Sequence, residues 1–116
     1  MNDCVFCKIV AGEIPSNKVY EDDHVVAFKD LHPVAPVHVL IVPKAHFDDI
    51  HAMASSEAGR EAMDHIMCAL PAIVEAVGLK DSGFRLINNC GEAAGQTVMH
   101  VHIHLVGGVE LGPRIL

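Results

Sequence analysis

Histidine alternates with aliphatic residues along positions 99–106, which read Met-His-Val-His-Ile-His-Leu-Val. Successive side chains of an extended strand point to opposite faces, so His100, His102 and His104 would share one face and the aliphatic residues would share the other. One face of such a strand can pack while the other does chemistry. Because the unperturbed pKa of imidazole is about 6.5, a row of three can supply a nucleophile, a hydrogen-bond donor and an acid near neutral pH.

The composition limits the classes of protein to which the chain can belong. Its 116 residues fit a single domain, 1–116, and 51% of them are hydrophobic, which favours a packed core over disorder. No apolar run reaches the roughly 18 residues of a membrane span, and the N-terminus lacks a secretory signal, so we expect a cytoplasmic protein with no membrane partner. The net charge of -7 argues against a nucleic-acid partner.

The pattern of apolar residues predicts an α+β fold. Residues spaced three and four apart indicate helices, and short runs of β-branched and aromatic residues indicate strands. Strands and helices do not alternate along the chain, so we expect a five-stranded antiparallel sheet. The predicted elements are a short N-terminal helix at 5–11, strands at 18–21, 25–30, 38–43 (central) and 84–89, one long helix at 56–77, and the histidine strand as the fifth.

Local signals predict how the long helix begins and ends. Ser55 or Ser56 can cap its first turn, and Gly78 can adopt the left-handed conformation that stops it. Pro71 has no amide hydrogen, so we expect a kink or a local break there. The glycine-containing segment 88–96 is predicted to be a turn at which the backbone can approach a phosphate closely.

Four segments extend the histidine pattern. Gly-Gln-Thr-Val at 95–98 precedes the histidines, Phe-Lys-Asp-Leu stands at 28–31, Val-Ala-Pro-Val-His-Val-Leu-Ile-Val-Pro-Lys at 34–44, and Gly-Gly-Val-Glu-Leu-Gly-Pro at 107–113. With these segments the chain resembles the histidine triad (HIT) superfamily, and within it the Hint branch. The resemblance covers nearly the whole chain.

This resemblance implies a nucleotide hydrolase or transferase that acts at the α-phosphorus of purine nucleoside phosphoramidates or aminoacyl adenylates. His102 would be the nucleophile, because neutral imidazole can approach an anionic phosphorus and bond to it. A covalent nucleotidyl-histidine would form, and water would then release a nucleoside monophosphate. No catalytic cofactor is expected, and the family also implies a homodimer in which two five-stranded sheets join into one.

The remaining roles are also implied by family position. His38 and His104 would stabilise charge on the phosphate oxygens. Thr97 stands where Hint proteins usually have serine, beside the leaving-group atom, and its methyl group is expected to narrow substrate choice. The expected nucleotide contacts are Asp30 with the ribose, Asn89, Gly95 and Gln96 with the phosphate, and Phe6, Ile9, Phe28, Leu31 and Leu40 with the purine ring.

Cys4 and Cys7 form a CxxC motif that alone indicates zinc, a redox pair or chance. Only three residues precede Cys4, which leaves no room for the strand that a thioredoxin-like motif needs. Many bacterial HIT proteins are similar in this motif, and the resemblance implies a structural Zn²⁺ bound by Cys4, Cys7, His46 and His100. Such a site would remove His100 from proton chemistry while fixing the segment that carries His102.

Three alternatives stay open. Alternating histidines can bind one catalytic metal, which would make the chain a metal-dependent hydrolase. It could also be a nucleotide-binding protein with vestigial catalysis, or a dinucleoside polyphosphate hydrolase of the same superfamily, although segment 107–113 is closer to Hint. The remaining histidines and cysteines carry no motif and are expected to be surface or packing residues: His24, His32, His51, His65, Cys68 and Cys90.

Overall fold

The computed structural model describes residues 3–116 and contains one antiparallel sheet. The strands are β1 (Lys18–Glu21), β2 (Val25–Lys29), β3 (Val37–Pro43), β4 (Phe84–Ile87) and β5 (Ile103–Gly107). They lie in the order β1-β2-β3-β5-β4, and each neighbouring pair is antiparallel. The predicted α+β class, the five strands and the central place of β3 are confirmed.

Three α-helices accompany the sheet: α1 (Val5–Val10), α2 (Ile50–Ala54) and α3 (Glu57–Ala76). Ser56 caps α3 by accepting the Gly59 N–H, and Gly78 follows with φ of 77°. The expected local break at Pro71 is wrong, because α3 is continuous through it. Helix α2 was not predicted, because five residues are too few to show a helical period. None of the helices among residues 3–116 is long and apolar enough to span a membrane.

The sheet separates two apolar layers. Alternate residues of β2 and β3, such as Ala27 and Ile41, face α3, where they meet Ile73. Their neighbours, Val26, Phe28, Leu40 and Val42, face α1 and pack against Phe6 and Ile9. Because His104 lies directly opposite Leu40 in the β3–β5 register, its side chain lies on the α1 face.

The chain bends at residues 98–100 and β5 begins only at Ile103, so the predicted start of this strand was wrong. Ahead of Ile103 the chain runs beside the loop that follows β3, where Val101 N–H donates to the Phe47 carbonyl at 2.8 Å. Strand β4 also ends earlier than predicted, at Ile87. The next side chain, Asn88, donates to the His102 carbonyl at 2.8 Å and so holds the histidine segment from its other side.

Candidate active site

A cavity of about 310 Å³ opens on the α1 face of the sheet. Its volume suits part of a small-molecule ligand. The lining combines apolar side chains with hydrogen-bond donors and acceptors. It is lined by the predicted residues Phe6, Ile9, Phe28, Asp30, Leu31, Leu40, Thr97, His102 and His104, and also by Val5, Ile14, Pro15, Ser16, Asn17, Lys29, His32 and Val98.

Hydrogen bonds fix the tautomer of His38, which lies behind His104. The Val34 N–H can only donate, and it lies 3.1 Å from His38 Nδ1, so this nitrogen is the acceptor. We therefore assign the ring proton to His38 Nε2, which is 2.9 Å from His104 Nδ1 and 3.5 Å from a carboxylate oxygen of Asp30. His104 Nδ1 accepts this proton, and the remaining proton of His104 lies on Nε2 as a donor.

The tautomer of His102 follows from a carbonyl. His102 Nδ1 lies 2.8 Å from the His100 carbonyl oxygen, which can only accept, so Nδ1 carries the proton. The lone pair of a neutral His102 is then on Nε2. The ring packs edge-on against Phe6 with a centroid separation of 5.1 Å, and 5.2 Å separates it from the His104 ring. One neighbouring imidazole thus offers a lone pair while the next offers an N–H.

The environment of His104 favours its neutral form. Burial is the largest cause that lowers the pKa of His104, and the nearby His102 and His38 rings lower it further, while Asp30 opposes them. Burial likewise lowers the pKa of His100, which is fully enclosed. Both imidazoles are therefore suited to act as neutral ligands or donors at pH 7.

Cys4, Cys7, His46 and His100 come together at the N-terminus of α1, and their ligand atoms all lie within 4.8 Å of one another. Cys4 Sγ is 3.3 Å from His100 Nδ1, and Cys7 Sγ is 3.3 Å from His46 Nδ1. Tetrahedral zinc with ordinary bond lengths places such sulfur and nitrogen atoms about 3.6 Å apart. The donor set and its spacing therefore fit a metal ion.

The hydrogen bonds made by the second ring nitrogen of His100 and of His46 also support a metal site. His100 Nε2 donates to the Pro43 carbonyl at 2.8 Å, and His46 Nε2 donates to the Asp48 carboxylate at 2.8 Å. In both rings the lone pair is consequently on Nδ1, the atom that faces the cysteines. Metal-binding histidines are typically oriented by such a bond from the other ring nitrogen.

The geometry does not support a catalytic metal held by all three histidines of the row. His100 Nδ1 faces the cysteines, His102 Nδ1 is bonded to a carbonyl, and His104 Nδ1 accepts from His38. A second group in residues 3–116, formed by Asp30, His38 and His104, has atoms close enough for a metal. Its geometry opposes one, because the Val34 bond keeps the proton on the His38 nitrogen that a metal would need.

Three predicted phosphate contacts lie outside the cavity lining. The amides of Gly95 and Gln96 already donate to Glu92 and Gly91 carbonyls, at 2.9 and 3.1 Å. The Gln96 side chain is buried, and it accepts from Gly91 N–H and donates to the Asp48 and Val98 carbonyls. Gln96 therefore ties the loop before α2 to the loop beside Thr97. Nothing in this arrangement tests Asn89, which is half-buried.

Several lining residues were not predicted. His32 was expected only at the surface, and it is exposed, but it also lies at the rim of the cavity. Ile14 to Asn17 belong to the irregular segment between α1 and β1, where no periodic pattern exists. Val5 could have been predicted, because it is a hydrophobic residue one helical turn before Ile9 and so lies on the same side of the helix.

Comparison with known proteins identifies the family. The profile of the HIT domain matches residues 11–111, so the chain belongs to the HIT family. A HIT family hydrolase from Clostridium thermocellum has the same fold, with a TM-score of 0.93 and 48% identity, over 100% of this chain and 99% of that one. The family predicted from the histidine row and its flanking segments is confirmed.

Two curated relatives extend over nearly the same length. Protein HitA of Neisseria gonorrhoeae is 47% identical over 107 residues, 92% of this chain and 97% of that protein. The purine nucleoside phosphoramidase of Escherichia coli K12 is 38% identical over 113 residues, 97% of this chain and 93% of the enzyme. Both similarities span the histidine row and the segment around His38.

The lowered pKa of His104 predicts a pH dependence of stability. In the unfolded chain this ring titrates near 6.5, so below that pH the unfolded state binds more protons than the folded state. The free energy of unfolding should therefore fall as the pH drops from 7.5 to 5.5. Urea unfolding at several pH values measures this slope.

The variant His104→Asn should reduce the slope, because its Oδ1 can still accept from His38 but does not titrate. His51→Asn, at an exposed histidine of α2, is the control and should keep the wild-type slope. An unchanged slope in His104→Asn would contradict the assignment of the pH dependence to this ring.

Proposed function

We propose that this protein hydrolyses purine nucleoside phosphoramidates or aminoacyl adenylates at the α-phosphorus through a covalent intermediate on His102. The observation that carries the proposal is the bond between His102 Nδ1 and the His100 carbonyl. It leaves the Nε2 lone pair in the wall of the cavity, beside the N–H of His104. Attack at phosphorus requires a free imidazole lone pair of this kind.

In the first step, His102 Nε2 bonds to phosphorus while the bond from phosphorus to the amine or acyl oxygen breaks. A departing amine takes a proton from solvent, whereas a departing carboxylate leaves as the anion, and in both cases the nucleotide remains on the histidine. Negative charge on the nonbridging oxygens is stabilised by the N–H of His104, which is oriented through His38. Water then attacks the phosphorus, releases the nucleoside monophosphate and restores His102.

The lining of the cavity supports a purine nucleotide as the ligand. Phe6, Phe28 and Leu40 offer apolar surface for a base, while Asp30, whose carboxylate lies 3.5 Å from His38 Nε2, would accept from the ribose. An apolar slot discriminates weakly between bases, so we expect adenine and guanine to be used at comparable rates. The relative of 38% identity from Escherichia coli is described as a purine nucleoside phosphoramidase, which agrees with this class.

Replacing His102 with asparagine tests the covalent step. Asn Nδ2 can keep the bond to the His100 carbonyl, but no nucleophile stands at the Nε2 position. Turnover of adenosine 5′-phosphoramidate should fall about 10³-fold or more. Intact-mass measurement after rapid mixing should detect a nucleotidyl adduct on the wild type and none on His102→Asn.

His51→Asn is the matched control and should behave as the wild type. Binding of the nucleotide without adduct or turnover would instead favour the vestigial binding protein. Cleavage of dinucleoside polyphosphates in preference to the phosphoramidate would favour the other branch of the superfamily.

We further propose that Cys4, Cys7, His46 and His100 hold a structural Zn²⁺. Four protein ligands leave no position for an activated water, so the ion would supply stability and orientation. It would join the start of α1 to the loop after β3 and to the histidine segment. Since His100 would be a ligand, its carbonyl would be held in place for His102.

Zinc titration tests this site. The protein should bind one Zn²⁺ per chain and unfold at a higher temperature when loaded, because the ion binds the folded state. Cys4→Ser with Cys7→Ser should lose most of this affinity, whereas Cys68→Ser with Cys90→Ser, at exposed thiols, should retain it. Turnover should survive chelation, and a loss that added metal restores would favour the metalloenzyme alternative.

We also propose that two copies pair through β4. This strand lies at the edge of the sheet, and its Phe84, Leu86 and Ile87 are 37 to 40% exposed. Helix α3 packs on β1, β2 and β3, so the α3 face near β4 is left open, and Met67 of α3 is exposed as well. An open edge beside apolar side chains favours a second identical edge, which would join two sheets into one.

Leu86→Lys should convert the dimer to a monomer at micromolar concentration. The added charge would be buried without a partner at the joined edge. Val34→Lys, at an exposed loop residue, should leave the mass unchanged. Light scattering during size-exclusion chromatography measures both, and a monomeric wild type would contradict the proposal.

A further inference from the structure

A second cavity, of about 430 Å³, lies next to the nucleotide cavity. Val5, Thr97 and Val98 line both cavities and form the wall between them. The second cavity continues beyond this wall to Asp3 and Met99. Its inner side is formed by Cys4 and His46 of the candidate metal site.

The position of this cavity relative to the nucleotide follows from α1. Val5 and Ile9 are one helical turn apart and lie on the same side of the helix. Ile9 lines only the nucleotide cavity, Val5 lines both, and Asp3 lines only the second. The axis of α1 thus leads from the apolar base slot, past the wall, to Asp3.

Displacement at phosphorus places the attacking and departing atoms on roughly opposite sides. The departing group must therefore point away from His102 Nε2. The purine occupies the base slot in this arrangement, and Thr97, which by family position stands beside the leaving-group atom, belongs with Val98 to the wall that both cavities share. The second cavity begins there.

The chemistry of the second cavity selects a type of leaving group. Met99 is 46% exposed and Val5 is 38% exposed, so both offer apolar surface. Asp3 is an exposed carboxylate that makes no ion pair within residues 3–116. Asp48, a carboxylate that contacts His46 of the same lining, is already bonded to that ring. The lining therefore suits a leaving group with an apolar stem that ends in a cationic group.

We propose that the cavity of Asp3, Val5, Thr97 and Met99 is the leaving-group subsite, and that it favours amines with an aliphatic stem and a second, cationic amino group. The inference rests on the proposed function and names the substrate class more narrowly. Asp3 and Met99 act as specificity residues, and they take no part in bond breaking.

Three adenosine phosphoramidates test the subsite: the N-butyl compound, the N-(4-aminobutyl) compound and the N-(3-carboxypropyl) compound. Their kcat/KM values should rank cationic, then neutral, then anionic. In Asp3→Asn the ratio of cationic to neutral substrate should fall about two- to fivefold, the range typical of an exposed charge pair. Raising the salt concentration should reduce the wild-type ratio in the same way.

Asp23→Asn removes an exposed carboxylate from the β1–β2 turn and is the control for net charge. It should keep the wild-type ratio. Met99→Ala should lower kcat/KM for the N-butyl compound more than for unsubstituted adenosine phosphoramidate.

The two proposals fail in different ways. Equal kcat/KM values for the three compounds, or a ratio that Asp3→Asn leaves unchanged, would overturn the subsite while hydrolysis itself continues. Absence of turnover with all phosphoramidates, including the unsubstituted one, would overturn the proposed function and the subsite with it.

Discussion

The buried backbone and side chain of His100 connect the two halves of the site. Its Nε2 donates to the Pro43 carbonyl, its Nδ1 faces the cysteines, and its own carbonyl accepts from His102. A fully enclosed imidazole needs partners for both nitrogens, because an unmade hydrogen bond in the interior is costly. The position of the proposed nucleophile therefore depends on contacts that lie outside the nucleotide cavity.

The three alternating histidines differ in tautomer because their hydrogen-bond partners differ. A carbonyl fixes the proton of His102 on Nδ1, while the Val34 amide, acting through His38, fixes the proton of His104 on Nε2. Burial and the neighbouring rings lower the pKa of His104, which favours the neutral ring that the proposed mechanism uses as a donor. One row of identical side chains can in this way provide a metal ligand, a nucleophile and a donor.

Most of the fold could be predicted from local signals. Side-chain period predicts the strands at 18–21, 25–30 and 38–43, and capping predicts the helix that Ser56 begins and Gly78 ends. The observed bounds of these elements differ from the predicted ones by a residue or two. The errors occur where tertiary contacts decide. Helix α3 continues through Pro71, and β5 begins at Ile103 because the preceding residues bond to the loop after β3. The role of Gln96 could not be predicted for the same reason. Only the packed loops show that its side chain and its backbone amide already make hydrogen bonds within the protein.

The sequence by itself determined the α+β class and predicted that His100, His102 and His104 share a face, because side-chain period is a property of the chain alone. That Cys4, Cys7, His46 and His100 form one set came only from the likeness to the HIT family. Only the tertiary structure decided which nitrogen of each ring carries its proton and that a second cavity adjoins the first across Val5 and Thr97. The physical reason is that these features depend on carbonyls, amides and walls contributed by segments far apart in the chain, which become neighbours only when the sheet has formed.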